Sequence, residues 1–201
     1  MKIKKYEFIT QEEFERTIEE FSNIEDARDQ LWDRAKKLIE TGFEIEAHIL
    51  ILATWNFARF RYFIKNFDLE SFERVIKETR PIFKKLEDKT FENVNFMDHV
   101  LKSDIKDLFT SFKNIVEQTG ASKLMALKNQ NLFIMWDTEI RRMHGIDNRG
   151  GADDYMKFLV KMQNDFKHIK WENKKRPLAK VVDEYNYVKA EKRRVKRKNK
   201  N

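Results

Sequence analysis

Residues Gly120–Arg142, "GASKLMALKNQNLFIMWDTEIRR", show the pattern on which the fold class turns. Ser122 is a residue type that caps helices, and Lys123–Lys128 then reads as a short helix. "NQN" turns the chain, and "NLFIMW" is six residues too short to settle between strand and helix by pattern. Asp137 is placed to cap a further helix that ends near His144–Gly145. Gly120 closes the segment before it. This is a helix, a turn and a helix, and nothing elsewhere alternates long enough to make a sheet.

The same period extends outward. Thr10 and Glu13 form a capping-box pair that starts a helix to about Phe21, with Phe14, Ile18 and Phe21 on one stripe. A second helix reads from Glu25 to Thr41, with Leu31, Ala35 and Leu38 on one face and Gly42 as its stop. From Ala47 to Phe63 the chain is apolar around most of a helical circumference, which predicts the central helix of the domain. Asp68 caps Leu69–Glu78, and Pro81 opens another turn or two. "DKTFENVNFMDH" reads as a loop with a short helical piece. Asp104–Gln118 carries Ile105, Leu108, Phe109, Phe112, Ile115 and Val116 on one face. After the loop "IDNRGG" a helix over 152–169 turns Tyr155, Phe158, Leu159, Met162 and Phe166 inward. Pro177 suits the first position of a last helix. The expected fold is all-α and compact. It is either one helical domain over residues 1–188, or two lobes, 1–45 with 146–188 and 46–145, around a cleft.

Bulk composition agrees. The chain has 201 residues, with only five Gly and two Pro, so turns are scarce. Seventeen Phe supply core bulk. There is no Cys, which excludes disulfides, thiolate zinc sites, thiol nucleophiles and iron–sulfur clusters. The four histidines are scattered and form no HExxH or HxH pair, so no metal is expected. His48 reads as a core histidine and His144 as a partner for a helix end. No apolar run is long enough to span a bilayer, and the first residues, "MKIKKYEFITQEEFE", are charged. The expectation is a cytoplasmic protein, nucleoid-associated in a prokaryote, with no membrane partner.

The net charge is +7 and sits at one end. Residues 189–201, "KAEKRRVKRKNKN", hold eight Lys/Arg and one Glu, while residues 1–188 carry 33 charges of each sign. Such a run attracts phosphate by counterion release. It equally reads as a disordered, solubilising end. Lys192, Arg193, Arg194, Lys196, Arg197 and Lys198 are its candidate DNA contacts.

Lys123 and Asp137 are the candidate catalytic pair. A lysine in the first turn of a helix meets positive N–H dipoles, which favours the neutral amine that covalent chemistry at a sugar C1′ requires. A carboxylate fixed at a helix start suits an oxocarbenium-like centre or a proton from the amine. The bland reading of both is a solvated lysine and an ordinary cap. Trp55, Phe133, Trp136 and Tyr155 could supply the aromatic face of a base pocket, with Asn56 as polar reader; tryptophan and phenylalanine at this spacing are equally core. Arg59 and Arg61 lie about 200° apart on a helix, so only one can turn inward.

"GASKLMAL…LFIMWDTEIRRMHG" resembles the core of the helix–hairpin–helix DNA glycosylase superfamily. The matching positions are Gly120, Lys123, Ala126, Asp137, Arg141 or Arg142, and Gly145, and the likeness covers roughly residues 46–145. The hairpin carries one glycine, with the lysine three positions after it. The resemblance implies Lys123 as Schiff-base nucleophile, Asp137 as its carboxylate, and base excision on damaged or abasic duplex DNA, with or without lyase activity. It implies a monomer without cofactor. Gly120, Ser122, Arg141 and Arg142 would contact the DNA backbone. The alternative is a helical protein that binds nucleic acid through its basic end without chemistry.

Overall fold

The computed structural model describes residues 9–24, 27–146, 150–173 and 175–199, without the side chains of 27–29 and 63. The expected helix start at Glu25, loop residues 147–149 and the last two tail residues lie outside it. Among the described residues all regular structure is helical. No described helix is long and apolar enough to cross a membrane.

Helix α1 (Gln11–Ser22) starts where Thr10 accepts the Glu13 N–H at 3.1 Å, and it buries Phe14, Ile18 and Phe21 as its stripe requires. In α2 (Ala27–Glu40) the buried positions are Trp32 and Ala35, with Leu38 half-buried. Gly42, at φ +91°, makes the turn into α3 (Glu44–Trp55). Only glycine takes that backbone conformation without strain.

The long apolar run behaves differently from its pattern. It leaves helical geometry at Asn56 (φ −126°, ψ 22°), and α4 (Phe57–Phe63) projects outward, with Phe57 60% and Tyr62 70% exposed. Only the first part, through Ala47, His48, Ile51 and Leu52, is core. The central element is instead α6 (His99–Lys128), which contacts α2, α3, α5 (Leu69–Lys85) and α8 (Ala152–Phe166). Helix α6 begins five residues before Asp104, because Asp98 accepts the Leu101 N–H at 2.9 Å. Pro81 lies inside α5 rather than opening a new helix. The carbonyl it leaves unpaired belongs to Lys77, an exposed residue, so water can take the place of the missing N–H. Phe72, Ile76 and Phe83 keep the helix docked on either side of the proline.

Gly120 does not close a hairpin. Its backbone is helical, and a Cβ there would sit 2.9 Å from Val116 and 3.2 Å from Leu52, so glycine serves close packing of α6 on α3. The break is three residues earlier, at Glu117 (φ 59°, ψ 173°). Consequently Ser122 does not cap a helix and Lys123 lies beyond the first turn after the break. The chain reverses at Asn129–Asn131 and continues without regular secondary structure as a strap, Leu132–Trp136, that is 0–3% exposed. Among the described residues the strap pairs with no strand. The Leu132 and Phe133 N–H groups turn back to the Asn129 carbonyl, and side chains serve the rest of the run: Tyr155 donates to the Ile134 carbonyl at 2.9 Å, and the Ser122 hydroxyl bonds both the N–H and the carbonyl of Trp136. A fully buried apolar run is thus compatible with an all-α fold.

Asp137 caps α7 (Thr138–Met143), accepting the Ile140 N–H at 2.7 Å. Helix α8 buries the five residues its period selects. Helix α9 (Leu178–Lys198) follows Pro177 and runs through the basic stretch, which is helical to Lys198 rather than disordered. It lies against α1 and α7. One continuous core runs from Phe14 to Ala190, so the two-lobe division has no counterpart in the packing.

Candidate functional site

A cleft of about 870 Å³ opens where four elements meet: the α3–α4 junction, the second half of α6, the end of the strap with α7, and α9. Lys123 and Asp137 both line it. The Lys123 Nζ donates to the main-chain carbonyl of Trp55. That carbonyl is available because α3 ends there and the next two helical N–H groups turn to Asn56 instead. Asp137 holds its cap bond with one oxygen, and its other oxygen lies 3.9 Å from Arg194.

Asp183 of α9 also lines the cleft, and it did not emerge from sequence spacing. It is 6% exposed. Burial raises its pKa to about 7, against the pull of Lys180 and Lys123 and with the help of Glu184 and Asp137. Near neutral pH it can therefore either hold or take a proton. The signal in the sequence was "KVVDEYN": a carboxylate immediately after two valines on an apolar helix face.

Asn56 is 5% exposed, and among the described residues its Nδ2 has no hydrogen-bond partner. It borders the cleft beside Trp55. Trp55 is half-buried and packs on Trp32 (5.4 Å between centroids), with the Lys180 Nζ 5.1 Å from its ring. Trp136 also borders the cleft, but it is fully buried and its Nε1 donates to the Gln118 carbonyl at 3.0 Å.

The other two expected pocket aromatics belong to the core. Phe133 is 1% exposed and meets Phe83, and Tyr155 stacks on Phe109 at 4.7 Å. Burial, with the charge of Asp183, raises the Tyr155 hydroxyl far above its ordinary range, so it stays a neutral donor. Three expected backbone-contacting residues are likewise enclosed. Gly120 and Ser122 are buried in α6, and Arg141 is 2% exposed with its guanidinium 5.3 Å over the Trp136 ring. Solvent-side DNA is out of reach of all three.

The rim of the cleft is cationic. Arg59, Arg142, Arg194, Arg197 and Lys198 line it. Arg197 pairs with Glu139 and, with Arg142 at 3.8 Å, holds that carboxylate below its ordinary range. The basic end of α9 is partly spent on the protein itself: Lys189 pairs with Glu13 at 2.6 Å, Lys192 with Glu20, and Arg194 with Glu191. Arg193 reaches the Met143 carbonyl, and Lys196 is exposed.

The remaining candidates are structural. His48 is 1% exposed, donates from Nδ1 to the Glu44 carbonyl at 2.6 Å, and is depressed to about 4 by burial. His144 ends α7 as its C-cap, its backbone N–H bonding the Ile140 carbonyl at 3.1 Å, while its ring bonds Asn186 at 2.9 Å. Arg59 pairs with Glu117 at 3.0 Å, and Arg61 lies on the Tyr62 ring.

The arrangement offers an amine, two carboxyls of different setting, an unpartnered amide and an aromatic wall inside a cationic mouth. No family model, no curated protein and no solved structure matches the chain.

Proposed function

We propose that the chain is a DNA base-excision glycosylase with lyase activity, in which Lys123 is the nucleophile. The observation that carries this reading is that Lys123, Asp137 and Asp183 line one cleft whose rim holds Arg59, Arg142, Arg194, Arg197 and Lys198 against the carboxylates Glu139 and Glu191, a cationic excess. The cleft admits a nucleotide turned out of the strand, and the rim suits its flanking phosphates. Trp55 offers a face to the base, and the Asn56 amide offers a donor.

In the reaction Nζ leaves the Trp55 carbonyl and, as the free amine, attacks C1′. The C1′–N bond breaks and the base departs with its electron pair, taking up the proton that Asp183 relays from the amine. Asp183 accepts the proton that the attacking amine releases. Asp137 stabilises positive charge developing at the sugar. Opening of the ring then gives a Schiff base that borohydride reduces.

The test is borohydride trapping of the full chain on DNA bearing an abasic site or one of a panel of damaged bases. A covalent adduct that forms with the wild type and not with Lys123→Gln is expected. Absence of any adduct across the panel removes the reading. Salt-sensitive binding that survives Lys123→Gln without an adduct would leave binding without chemistry.

A further inference from the structure

We propose that α4 is a seat for a single, unstacked strand of nucleic acid that crosses it into the cleft. The proposal rests on the nucleic-acid part of the reading above but not on its chemistry.

Helix α4 is a ridge between two depressions. Phe57 lines the 870 Å³ cleft on one side. Tyr62 lines a second hollow of about 510 Å³ on the other, and Arg59 borders both. The two rings are among the most exposed apolar groups described, at 60% and 70%. A short helix holding such rings in water loses the burial that its sequence could have had, and a ligand that stacks on them restores it.

The charge around them selects the occupant. Ala47–Phe67 contains Arg59, Arg61 and Lys65 and no Asp or Glu. Of the nearby acids, Glu117 pairs with Arg59, and Asp68 is engaged in capping α5 through Ser71. Among the described residues, Arg61 and Lys65 have no carboxylate partner. Two copies of this face would repel, whereas a polyanion with flat apolar groups complements it. A membrane surface also offers anions and apolar depth, but it cannot follow the ridge down into a cleft.

The spacing selects the form. Phe57 and Tyr62 are five residues apart, about 7.5 Å along the helix axis. Bases stacked within one strand of a duplex repeat at about 3.4 Å. Two bases resting on these rings are therefore pulled apart, which a single-stranded or locally opened segment permits.

The experiment measures fluorescence anisotropy of labelled twelve-nucleotide oligothymidine, and of a duplex of equal length, with the full chain. The single strand should bind at least about tenfold more tightly than the duplex. Phe57→Ala with Tyr62→Ala should lose about tenfold or more on the single strand, as expected for lost stacking. Arg61→Gln with Lys65→Gln should reduce the slope of log affinity against log salt by about 1.4. Unchanged affinity in the aromatic pair, an unchanged slope in the cationic pair, or stronger binding to phosphatidylserine vesicles than to the strand overturns the proposal. Trapping on abasic DNA is read separately. An adduct formed at the wild-type rate by the aromatic pair sinks the seat and spares the glycosylase, and strand binding without any adduct does the reverse.

Discussion

Lys123, in the second half of α6, donates to the carbonyl of Trp55, the last residue of α3. This one bond ties the helix that ends at the cleft to the helix that crosses behind it. It also holds the amine beside the field of Asp183. The residue proposed as nucleophile is thus a structural partner until a ligand displaces the carbonyl.

Lys123→Met is therefore expected to do two things. Borohydride trapping should vanish, and stability should fall by about 1–3 kcal/mol from loss of a charge-assisted bond to an orphan carbonyl. Lys123→Arg keeps a donor there and should recover much of the stability in urea unfolding without recovering the adduct. Equal trapping by Lys123→Arg would show that another amine reacts.

Two buried groups give opposite pH dependences. His48 is depressed to about 4 by burial, with Glu44 opposing and Lys128 reinforcing. The unfolded chain binds its proton first, so its contribution is full above about 6.5 and is lost as pH falls through 4. Asp183 is raised to about 7, so the fold prefers it protonated. Its ionisation begins to cost stability as pH rises past about 4, and the cost is complete above 7. Each amounts to about 3–4 kcal/mol at full extent, and they cancel across much of this window. Wild-type stability should vary little between pH 4.5 and 6.5. Asp183→Asn should leave a curve that rises with pH and lies above wild type at pH 8. His48→Leu should leave one that falls. Unfolding midpoints in urea at five pH values check both slopes.

Helix period made α1 and α8 legible from sequence, because in each one stripe of large apolar residues meets one core. The same reasoning misplaced the centre. Ala47–Phe63 is apolar on nearly every face, and such a run is buried only if neighbours exist on every side. After Asn56 they do not, so Phe57 and Tyr62 meet water. Helix α6 is polar enough on its first half to look like a surface helix, yet it is the element the others surround. At the site, the cap at Asp137 and its sharing of a cleft with Lys123 rest on local residue types that sequence exposes. Asp183 comes from a helix 46 positions beyond Asp137, and only the docking of α9 on α7 brings it in. Arg141 failed as a surface contact because the aromatic before the cap, Trp136, offers its face to the guanidinium.

The basic end of α9 is part of the fold. Ending the chain after Ala190 removes the pairs Lys192–Glu20 and Arg197–Glu139 and leaves Glu139, 8% exposed, with Arg142 alone at 3.8 Å. The truncated chain should unfold at lower urea than the full chain, and its salt dependence of stability should flatten. A disordered tail predicts no change in midpoint, so chemical denaturation at low and high salt separates the two.

Glu117 holds φ 59° and ψ 173° in the middle of α6, a region that is close to glycine-only. What the strained backbone achieves is placement: it breaks α6 into two segments, sends the second toward the cleft, and sets the Glu117 carboxylate 3.0 Å from Arg59 on the ridge. Glu117→Gly removes a strain of about 1–3 kcal/mol and forfeits an exposed ion pair worth about 0–1 kcal/mol, so the variant should be more stable by about 1 kcal/mol. Glu117→Gln keeps the strain and loses the pair, and should be neutral or slightly less stable. The two substitutions act alike on Arg59, so both should change binding of an anionic strand in the same direction, while only Glu117→Gly raises the unfolding midpoint. A glycine variant no more stable than the glutamine variant would mean that the backbone at 117 is relaxed and that the break in α6 has another origin.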